Sequence, residues 1–311
     1  MDTAFRKSIE QEFINTKKLA ESSTKLYLRN LERLNDDSPL KNLNFLKDPE
    51  IIIKKIDNYK DNTRRGYLIS ICSVLSLDKN TPKKQKLYDV YFKMMMDMNR
   101  RLKSSESENE KTDTQKDNWL EWSEVEKKWD ELHEKVSAYK GTMNPQQYDN
   151  ILQYVILSLY VLLPPRRNEY QHMVVAKSVT DPNPDINYYN VDNQQMIFNK
   201  FKTAKKEGQK IIDIPLKLQG VLRTYIKFHP LLKGKVSKTE VPFLVHQDGS
   251  PFNQVNSITR ILNKIFKRNV GSSMLRHIYL SSKYGDVQEQ QKTDAEMMGH
   301  STGQQKDYIK K

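Results

Sequence analysis

Cysteine is nearly absent from this chain, which has a single one, Cys72, among 311 residues. One thiol excludes an internal disulfide and a cysteine-rich zinc site. Long apolar runs are missing as well, because no stretch of about 18 apolar residues occurs. The N-terminus, with Asp2, Glu10 and Glu12, lacks the apolar core of a signal peptide. We therefore expect an intracellular protein without a membrane span, in which Cys72 is a small core residue.

Negative charge is in deficit: 39 Asp and Glu stand against 52 Lys and Arg, which gives a formal net charge of +13 at pH 7. Such an excess attracts polyanions, of which a nucleic-acid backbone is the commonest. Charge alone does not distinguish DNA from RNA or from a membrane surface. A metal-dependent nuclease is disfavoured, because Asp, Glu and His form no compact cluster with ligand spacing.

One segment contains no apolar residue at all. Residues 103–118 read KSSESENEKTDTQKDN, a composition that is typical of a linker. The chain is long enough for two domains. The sequence therefore predicts two domains, a helical one over residues 1–102 and a second one over residues 119–311, joined by this linker.

Apolar residues recur at helical spacing through most of the chain. Ser123 and Glu126 form a capping-box pattern before one predicted helix. Asn144-Pro145 starts the helix that we expect at the centre of the core, ending at Pro164-Pro165. The other predicted helices begin at Ser22, Ser23 or Thr24 and near Asn62, or span residues 84–102, 216–228, 253–267 and 272–283.

Short β segments follow Pro165. Residues 187–191, 195–202 and 210–214 have the composition and length of strands. Asp192-Asn193 and residues 205–208 separate them as turns. The predicted fold is mainly α with a small three-stranded sheet.

Several residues of the second domain suit phosphoryl transfer. Without a metal, this chemistry needs cations around the nonbridging oxygens, an in-line nucleophile and an acid for the leaving oxygen. Arginine suits the first task because its guanidinium forks onto phosphate oxygens. Arg166 or Arg167 ends the predicted core helix, and Arg276 lies on a later one. His300 follows a glycine, with Tyr308 close behind.

The order of these residues resembles that of the tyrosine recombinases and phage-type integrases. Arg166–Glu169 (RRNE) is similar to the first Arg box of that family, and Lys202-Thr203 to its hairpin Lys box. Leu275–His277 resembles the second Arg box, and Met298–Ser301 (MGHS) the box that precedes the nucleophile, here Tyr308. The Pro-Arg-Arg form looks most like integrases of DNA viruses and their mobile relatives. The resemblance covers the whole chain, because the N-terminal helices look like the family's core-binding domain.

This resemblance implies a site-specific recombinase with the catalytic residues Arg166, Lys202, Arg276, His300 and Tyr308. Tyr308 would attack the scissile phosphate to form a 3′-phosphotyrosyl enzyme, and Lys202 would protonate the departing 5′-oxygen. The chemistry uses no metal and no cofactor. The two domains would close around double-stranded DNA, and four protomers would assemble on two DNA sites, in the host cytoplasm or nucleus.

Three features depart from the family pattern. The second Arg box usually begins with His, and that position is Ser273. His277 could compensate, although on a helix it points about 100° away from Arg276. The interval from His300 to Tyr308 is one residue shorter than usual, which a turn at the intervening glycine would absorb. Only three residues follow the nucleophile, so we expect assembly through a surface other than an exchanged C-terminal segment.

Other candidates have supporting roles. Arg167 takes the catalytic role of Arg166 if the match to the first Arg box is shifted by one residue. Glu169 is expected to orient an arginine through a bidentate pair. Basic residues in two places are the candidates for contact with DNA phosphates, although each could also be simply solvated. They are Lys54, Lys55, Lys60, Arg64 and Arg65 in the N-terminal domain and Lys200, Lys205 and Lys206 beside Lys202.

Two other functions fit the same residues. A type IB topoisomerase shares the covalent intermediate but acts as a monomer and reseals the same strand, so it relaxes supercoils without a partner site. A catalytically degenerate DNA-binding protein of the same fold would account for Ser273 and for the short interval before Tyr308. It would bind DNA without forming a covalent adduct.

Overall fold

A computed structural model describes residues 3–106, 110–237 and 239–309. The fold is mainly helical (59%) with a small mixed sheet of five strands, which agrees with the predicted class. The chain divides into two compact units, Met1–Glu110 and Lys111–Lys311. Within the described ranges, no helix combines the length and the apolar character that are needed to cross a membrane.

The first unit is a group of five helices in which α4 packs against α2 and α5. Its core is formed by side chains such as Leu28, Leu31, Tyr67, Ile71 and Tyr91. Cys72 is buried in that core, as predicted. The helices are α1 (Ala4–Asn15), α2 (Glu21–Leu34), α3 (Pro49–Ile56), α4 (Asp61–Leu75) and α5 (Pro82–Glu106).

Two helices of this unit lie where the sequence predicts them, α4 and α5. The start of α2 was predicted wrongly: Ala20 is its N-cap, so the three predicted caps fall inside its first turn. The sequence did not indicate α1 or α3. In the predicted linker, residues 107–109 lie outside the described part of the chain, while residues 103–106 belong to α5 and residues 113–118 form another helix.

In the second unit, α8 is the central element. Asn144 caps it in a capping box with Gln147, and twelve of its seventeen residues are buried against α7, α10 and α11. The helix ends at Val161 with Leu162 as its C-cap, so it stops before the Pro-Pro pair. The helices here are α6 (Asp113–Asn118), α7 (Trp122–Ser137), α8 (Pro145–Val161), α9 (Ala204–Glu207), α10 (Leu216–Phe228), α11 (Ser257–Phe266), α12 (Ser272–Met297) and α13 (Thr302–Tyr308).

Some predicted boundaries in this unit are wrong. The capping box of α7 uses Glu121 and Glu124 instead of Ser123 and Glu126. Residues 205–208 are mostly the short helix α9 and not a turn. The helix predicted over residues 253–267 starts only at Ser257, whereas α12 continues 14 residues beyond its predicted end at residue 283.

The sheet has five strands in the order β4-β3-β2-β1-β5, so the prediction of three was wrong. The three predicted strands exist as β2, β3 and β4, paired antiparallel, with Tyr188 opposite Ile197 and Met196 opposite Ile212. The added strands have only three and two residues, and each pairs with a strand distant from it along the chain. The strands are β1 (Val174–Ala176), β2 (Tyr188–Asn190), β3 (Gln195–Phe198), β4 (Lys210–Asp213) and β5 (Val241–Pro242).

Candidate active site

Arg166 is fixed on two sides. It lies in the irregular segment that follows α8, where its Nε donates to Glu169 Oε2 at 2.9 Å, and the two side chains are only 19% and 10% exposed. Its guanidinium carbon lies 3.9 Å from the ring centroid of Phe198 and 5.4 Å from that of Phe201. Among the described residues, its terminal nitrogens have no hydrogen-bond acceptor. They therefore remain available to an anionic ligand.

The structure distinguishes Arg166 from its neighbour. The side chain of Arg167 is exposed, and its carbonyl accepts a hydrogen bond from the Tyr160 hydroxyl at 3.2 Å. Burial raises the pKa of Tyr160 well above its ordinary value, so this hydroxyl stays protonated and able to donate. Of the two arginines, Arg166 is the one that is held in place by side-chain contacts.

Lys202 lies in the turn between β3 and α9 and is exposed. The turn begins beside Arg166, because Phe201 directly precedes Lys202 and its ring faces the guanidinium. The predicted phosphate contacts around this turn are also exposed: Lys200, Lys205 and Lys206. The structure thus brings the turn of Lys202 next to Arg166.

The start of α12 lies close to the same segment. Ser272 is buried, and its side chain is near enough to the Tyr160 hydroxyl to oppose the rise in the pKa of Tyr160. The same hydroxyl donates to the carbonyl of Arg167. Arg276 follows Ser272 by one helical turn on the same face. It is half-buried, whereas Ser273 and His277 are exposed.

His300 and Tyr308 form a pair of their own. Their rings are stacked at 23° with centroids 5.5 Å apart, and Tyr308 is 68% exposed. The Nδ1 of His300 lies 3.2 Å from the carbonyl oxygen of Ser301. Since a carbonyl only accepts, Nδ1 carries the hydrogen and Nε2 is left as an acceptor. Nε2 is buried and finds no partner among the described residues.

The short interval between these two residues is helical. Ser301 caps α13 in a capping box with Gln304, so Gly303 lies inside a helix and the prediction of a turn there was wrong. The reversal of the chain occurs instead at Gly299, which has a φ of +72°. That conformation favours glycine because a Cβ would clash with the backbone.

The structure does not place the His300–Tyr308 pair beside the arginines. The backbone nitrogen of His300 donates to the carbonyl of Ala295 at 3.0 Å, so the pair lies near the end of α12. Between Arg276 and Ala295 the helix is unbroken, which corresponds to about 28 Å at about 1.5 Å per residue. Two side chains cannot close such a gap. The candidate residues therefore form two groups.

In the described part of the chain, the second half of α12 has no packing partner over most of its length. From Leu280 to Asp294 every side chain is exposed, and the next buried residue is Ala295. Leu280, Tyr284 and Val287 form an exposed apolar stripe at helical spacing. This half of α12 and α13 are designated the C-terminal arm, residues 280–309.

In the first unit, three of the five predicted DNA contacts have internal partners. Lys55 donates to Asp36 at 2.6 Å, and Arg64 pairs with Asp57 at 2.9 Å. Arg65 donates to Asn99. Lys54 and Lys60 are exposed. The binding of DNA phosphates by Lys55 and Arg64 would compete with these ion pairs, whereas the contact of Arg65 uses only its Nε.

A groove of about 470 Å³ in the same unit was not found from the sequence. Three of its four basic lining residues lie together at residues 83–86 (KKQK), a local charge run that sequence reasoning could have used. Pro49, Leu87 and Val90 supply an apolar part of the lining. The basic residues are Lys47, Lys83, Lys84 and Lys86, all of them exposed. This groove is designated the lysine groove.

Around Arg166, sequence reasoning missed the aromatic residues Phe198 and Phe201. Their positions at the end of β3 and in the next turn gave no signal, because contact with Arg166 depends on the fold. Comparisons of the chain with models of known families, with curated proteins and with solved structures give no match. The function therefore has to be inferred from the residues and their geometry.

Proposed function

We propose that the protein cleaves and rejoins duplex DNA through Tyr308, as an integrase-like site-specific recombinase. The observation that carries this proposal is the setting of Arg166. Glu169 and Phe198 hold its guanidinium on two sides, and its terminal nitrogens have no acceptor in the described part of the chain. A cation held in this way is pre-organised to bind phosphate oxygens.

The other residues supply the remaining parts of a transesterification. The Tyr308 oxygen forms a bond to phosphorus while the bond to the 5′-oxygen breaks. Nε2 of His300 accepts the phenolic proton, and Lys202 gives a proton to the departing oxygen. Arg166 and Arg276 neutralise the nonbridging oxygens. Attack by a 5′-hydroxyl on the phosphotyrosine reverses these steps, so the number of phosphodiester bonds is conserved.

The proposal requires the C-terminal arm to approach the arginines. The arm has few contacts that would resist movement, because its side chains from Leu280 to Asp294 are exposed. Elements with little buried surface open at low free-energy cost. We propose that DNA binding brings Tyr308 to Arg166 and Arg276, and that four protomers assemble on two DNA sites.

A second candidate is a DNA-binding protein without catalysis. The separation of about 28 Å along α12 between Arg276 and Ala295 favours it, as does Ser273 at the position where the resembling family has His. In this function the basic residues bind DNA phosphates, and Tyr308 forms no bond to phosphorus.

The two candidates are separated by a covalent trapping experiment. The full chain is incubated in EDTA with nicked suicide duplexes that carry candidate sites, and adducts that resist denaturation by SDS are counted. We expect an adduct that Tyr308→Phe abolishes, while Tyr284→Phe, an exposed tyrosine of the same arm, retains it. DNA binding without an adduct would favour the non-catalytic protein, and relaxation of supercoils by a monomer would favour a type IB topoisomerase.

A further inference from the structure

We infer that Asn187 is a positioning residue, which holds the Arg166 segment and the Lys202 turn together in one site. This inference rests on the proposed function, because it assigns a role in that reaction. Asn187 directly precedes β2 and is only 6% exposed. Its side chain lies between the two segments that carry the proposed cations.

All hydrogen-bonding capacity of the Asn187 amide is used. Nδ2 donates to the carbonyl of Glu169 at 3.0 Å and to the carbonyl of Lys200 at 3.0 Å. Oδ1 accepts from the backbone nitrogens of Asn199 at 2.9 Å and Lys200 at 2.8 Å. A primary amide offers two donors and two acceptor sites, so each of them has a backbone partner here.

These four bonds connect the two halves of the site. Glu169 is the residue whose carboxylate holds Arg166, and Lys200 lies two residues before Lys202. The amide is therefore the shared support of both proposed cations. Of the uncharged side chains, only asparagine and glutamine donate twice and accept twice, and glutamine is longer by a methylene group. Neither an apolar residue nor a hydroxyl can replace these contacts.

A neighbouring asparagine provides a matched control. Asn190 lies in β2 and is 1% exposed, and its Oδ1 has no hydrogen-bond partner among the described residues. Both substitutions, Asn187→Ala and Asn190→Ala, shorten a buried asparagine of the same segment. Only the first one disconnects the Arg166 segment from the Lys202 turn.

Misplacement of a catalytic group by about 1 Å can reduce a rate by about 100-fold. We therefore expect Asn187→Ala to slow adduct formation on an ordinary suicide duplex by at least about tenfold. Asn190→Ala should remain within about threefold of the natural protein, because catalysis depends on placement and not on general stability. Affinity for DNA should change little in either variant, since neither one removes a cation.

A sulfur-substituted substrate separates positioning from structural damage. In a 5′-bridging phosphorothiolate the leaving group is a thiolate. A thiol has a pKa of about 8.5, so the thiolate is stable enough to depart without receiving a proton. If Asn187 positions Lys202, this substrate restores most of the rate of Asn187→Ala, as it does for Lys202→Ala. A purely structural defect would persist on both substrates.

A second variant decides the matter if Asn187→Ala does not fold. Asn187→Asp keeps an oxygen for the nitrogens of Asn199 and Lys200 but loses both donors, so it releases the carbonyls of Glu169 and Lys200. Its defect should be relieved by an uncharged methylphosphonate at the scissile position, which needs less neutralisation by Arg166. If the Asn187 variants form adduct as fast as Asn190→Ala does, the inference about Asn187 is wrong, while the proposed function is unaffected. A natural protein that forms no adduct would overturn the proposed function.

Discussion

At the scale of single residues, a substitution in the ion pair of Arg166 and Glu169 should affect both stability and catalysis, and the two effects can be measured separately. Glu169→Gln keeps the size of the side chain but removes its charge from a mostly buried ion pair. A charged hydrogen bond contributes about 1.5–3 kcal/mol, so we expect the free energy of unfolding to fall by about 1–2 kcal/mol. Adduct formation should fall by about tenfold, because Arg166 is then less well oriented. Urea denaturation and single-turnover trapping measure the two effects.

Arg167→Ala is the control for stability. Its side chain is exposed, and such substitutions change the free energy of unfolding by less than about 0.5 kcal/mol. If Glu169→Gln were as stable and as active as the natural protein, the ion pair would not hold Arg166 in a working position.

The sequence was most informative at this scale where chemistry follows residue type. It paired Arg166 with Glu169, although the contact is one hydrogen bond and not the bidentate pair that was expected. It placed Lys202 at the end of a strand over residues 195–202, whereas β3 ends at Phe198 and Lys202 lies in the turn that follows. It did not identify Asn187 or Phe198, because their contacts with other segments exist only after β2 and β3 have paired. Spacing along one segment contains no information on such contacts.

At the scale of elements, Gly285 is the weak point of α12. A Cβ added there would meet nothing within 4 Å, so no close packing requires glycine. Glycine inside a helix costs about 1 kcal/mol relative to alanine. We expect Gly285→Ala to stabilise the straight helix and, because cleavage requires the arm to bend, to slow adduct formation by about fivefold. Thermal unfolding and trapping rates test this.

Gly220→Ala is the matched control, because Gly220 lies within α10 and an added Cβ there also meets nothing within 4 Å. It should stabilise the fold without slowing cleavage. An unchanged rate in Gly285→Ala would show that the arm does not bend there. Recovery of adduct in a mixture of Arg276→Ala and Tyr308→Phe would show instead that Tyr308 serves the arginines of a second copy.

Helices and strands were predictable from the sequence where the burial of one face gives their apolar residues a regular spacing. The core helix α8 was found together with its cap, because its buried face and Asn144-Pro145 both mark it. The second half of α12 was missed because its apolar stripe ends at Val287, and residues 288–294 (QEQQKTD) are all polar, as in a loop. The strands β1 and β5 were missed because neither has a turn signal beside it that pairs it with a neighbour, whereas β2, which is equally short, stands next to the Asp192-Asn193 turn.

At the scale of the whole molecule, the question is which basic surface binds DNA. Removal of one lysine that contacts a phosphate reduces the magnitude of the slope of log affinity against log salt by about 0.9. We expect Lys83→Ala with Lys86→Ala, in the lysine groove, to reduce that slope by about 2. The pair Lys55→Ala with Arg64→Ala should change it less, because both cations already have acidic partners. Fluorescence anisotropy at several salt concentrations measures these slopes.

The third variant in this comparison combines Lys54→Ala with Lys60→Ala, at two exposed positions. A larger change for it than for the lysine groove would favour the surface that the sequence predicted. The excess of positive charge was visible in the composition, but its distribution was not. The partners of Lys55 and Arg64 come from α2, α3 and the loops that flank them, and only the folded chain brings these charges together.

The burial of Cys72 makes the protein suited to spectroscopic distance measurement. Burial raises the pKa of this thiol to about 11, so at neutral pH it stays protonated and reacts poorly with thiol reagents. Cysteines introduced at the exposed positions Ser281 and Thr293 would therefore take up spin labels selectively. Their backbones are about 18 Å apart in a straight helix. A shorter distance after addition of DNA would report the bend of α12 directly.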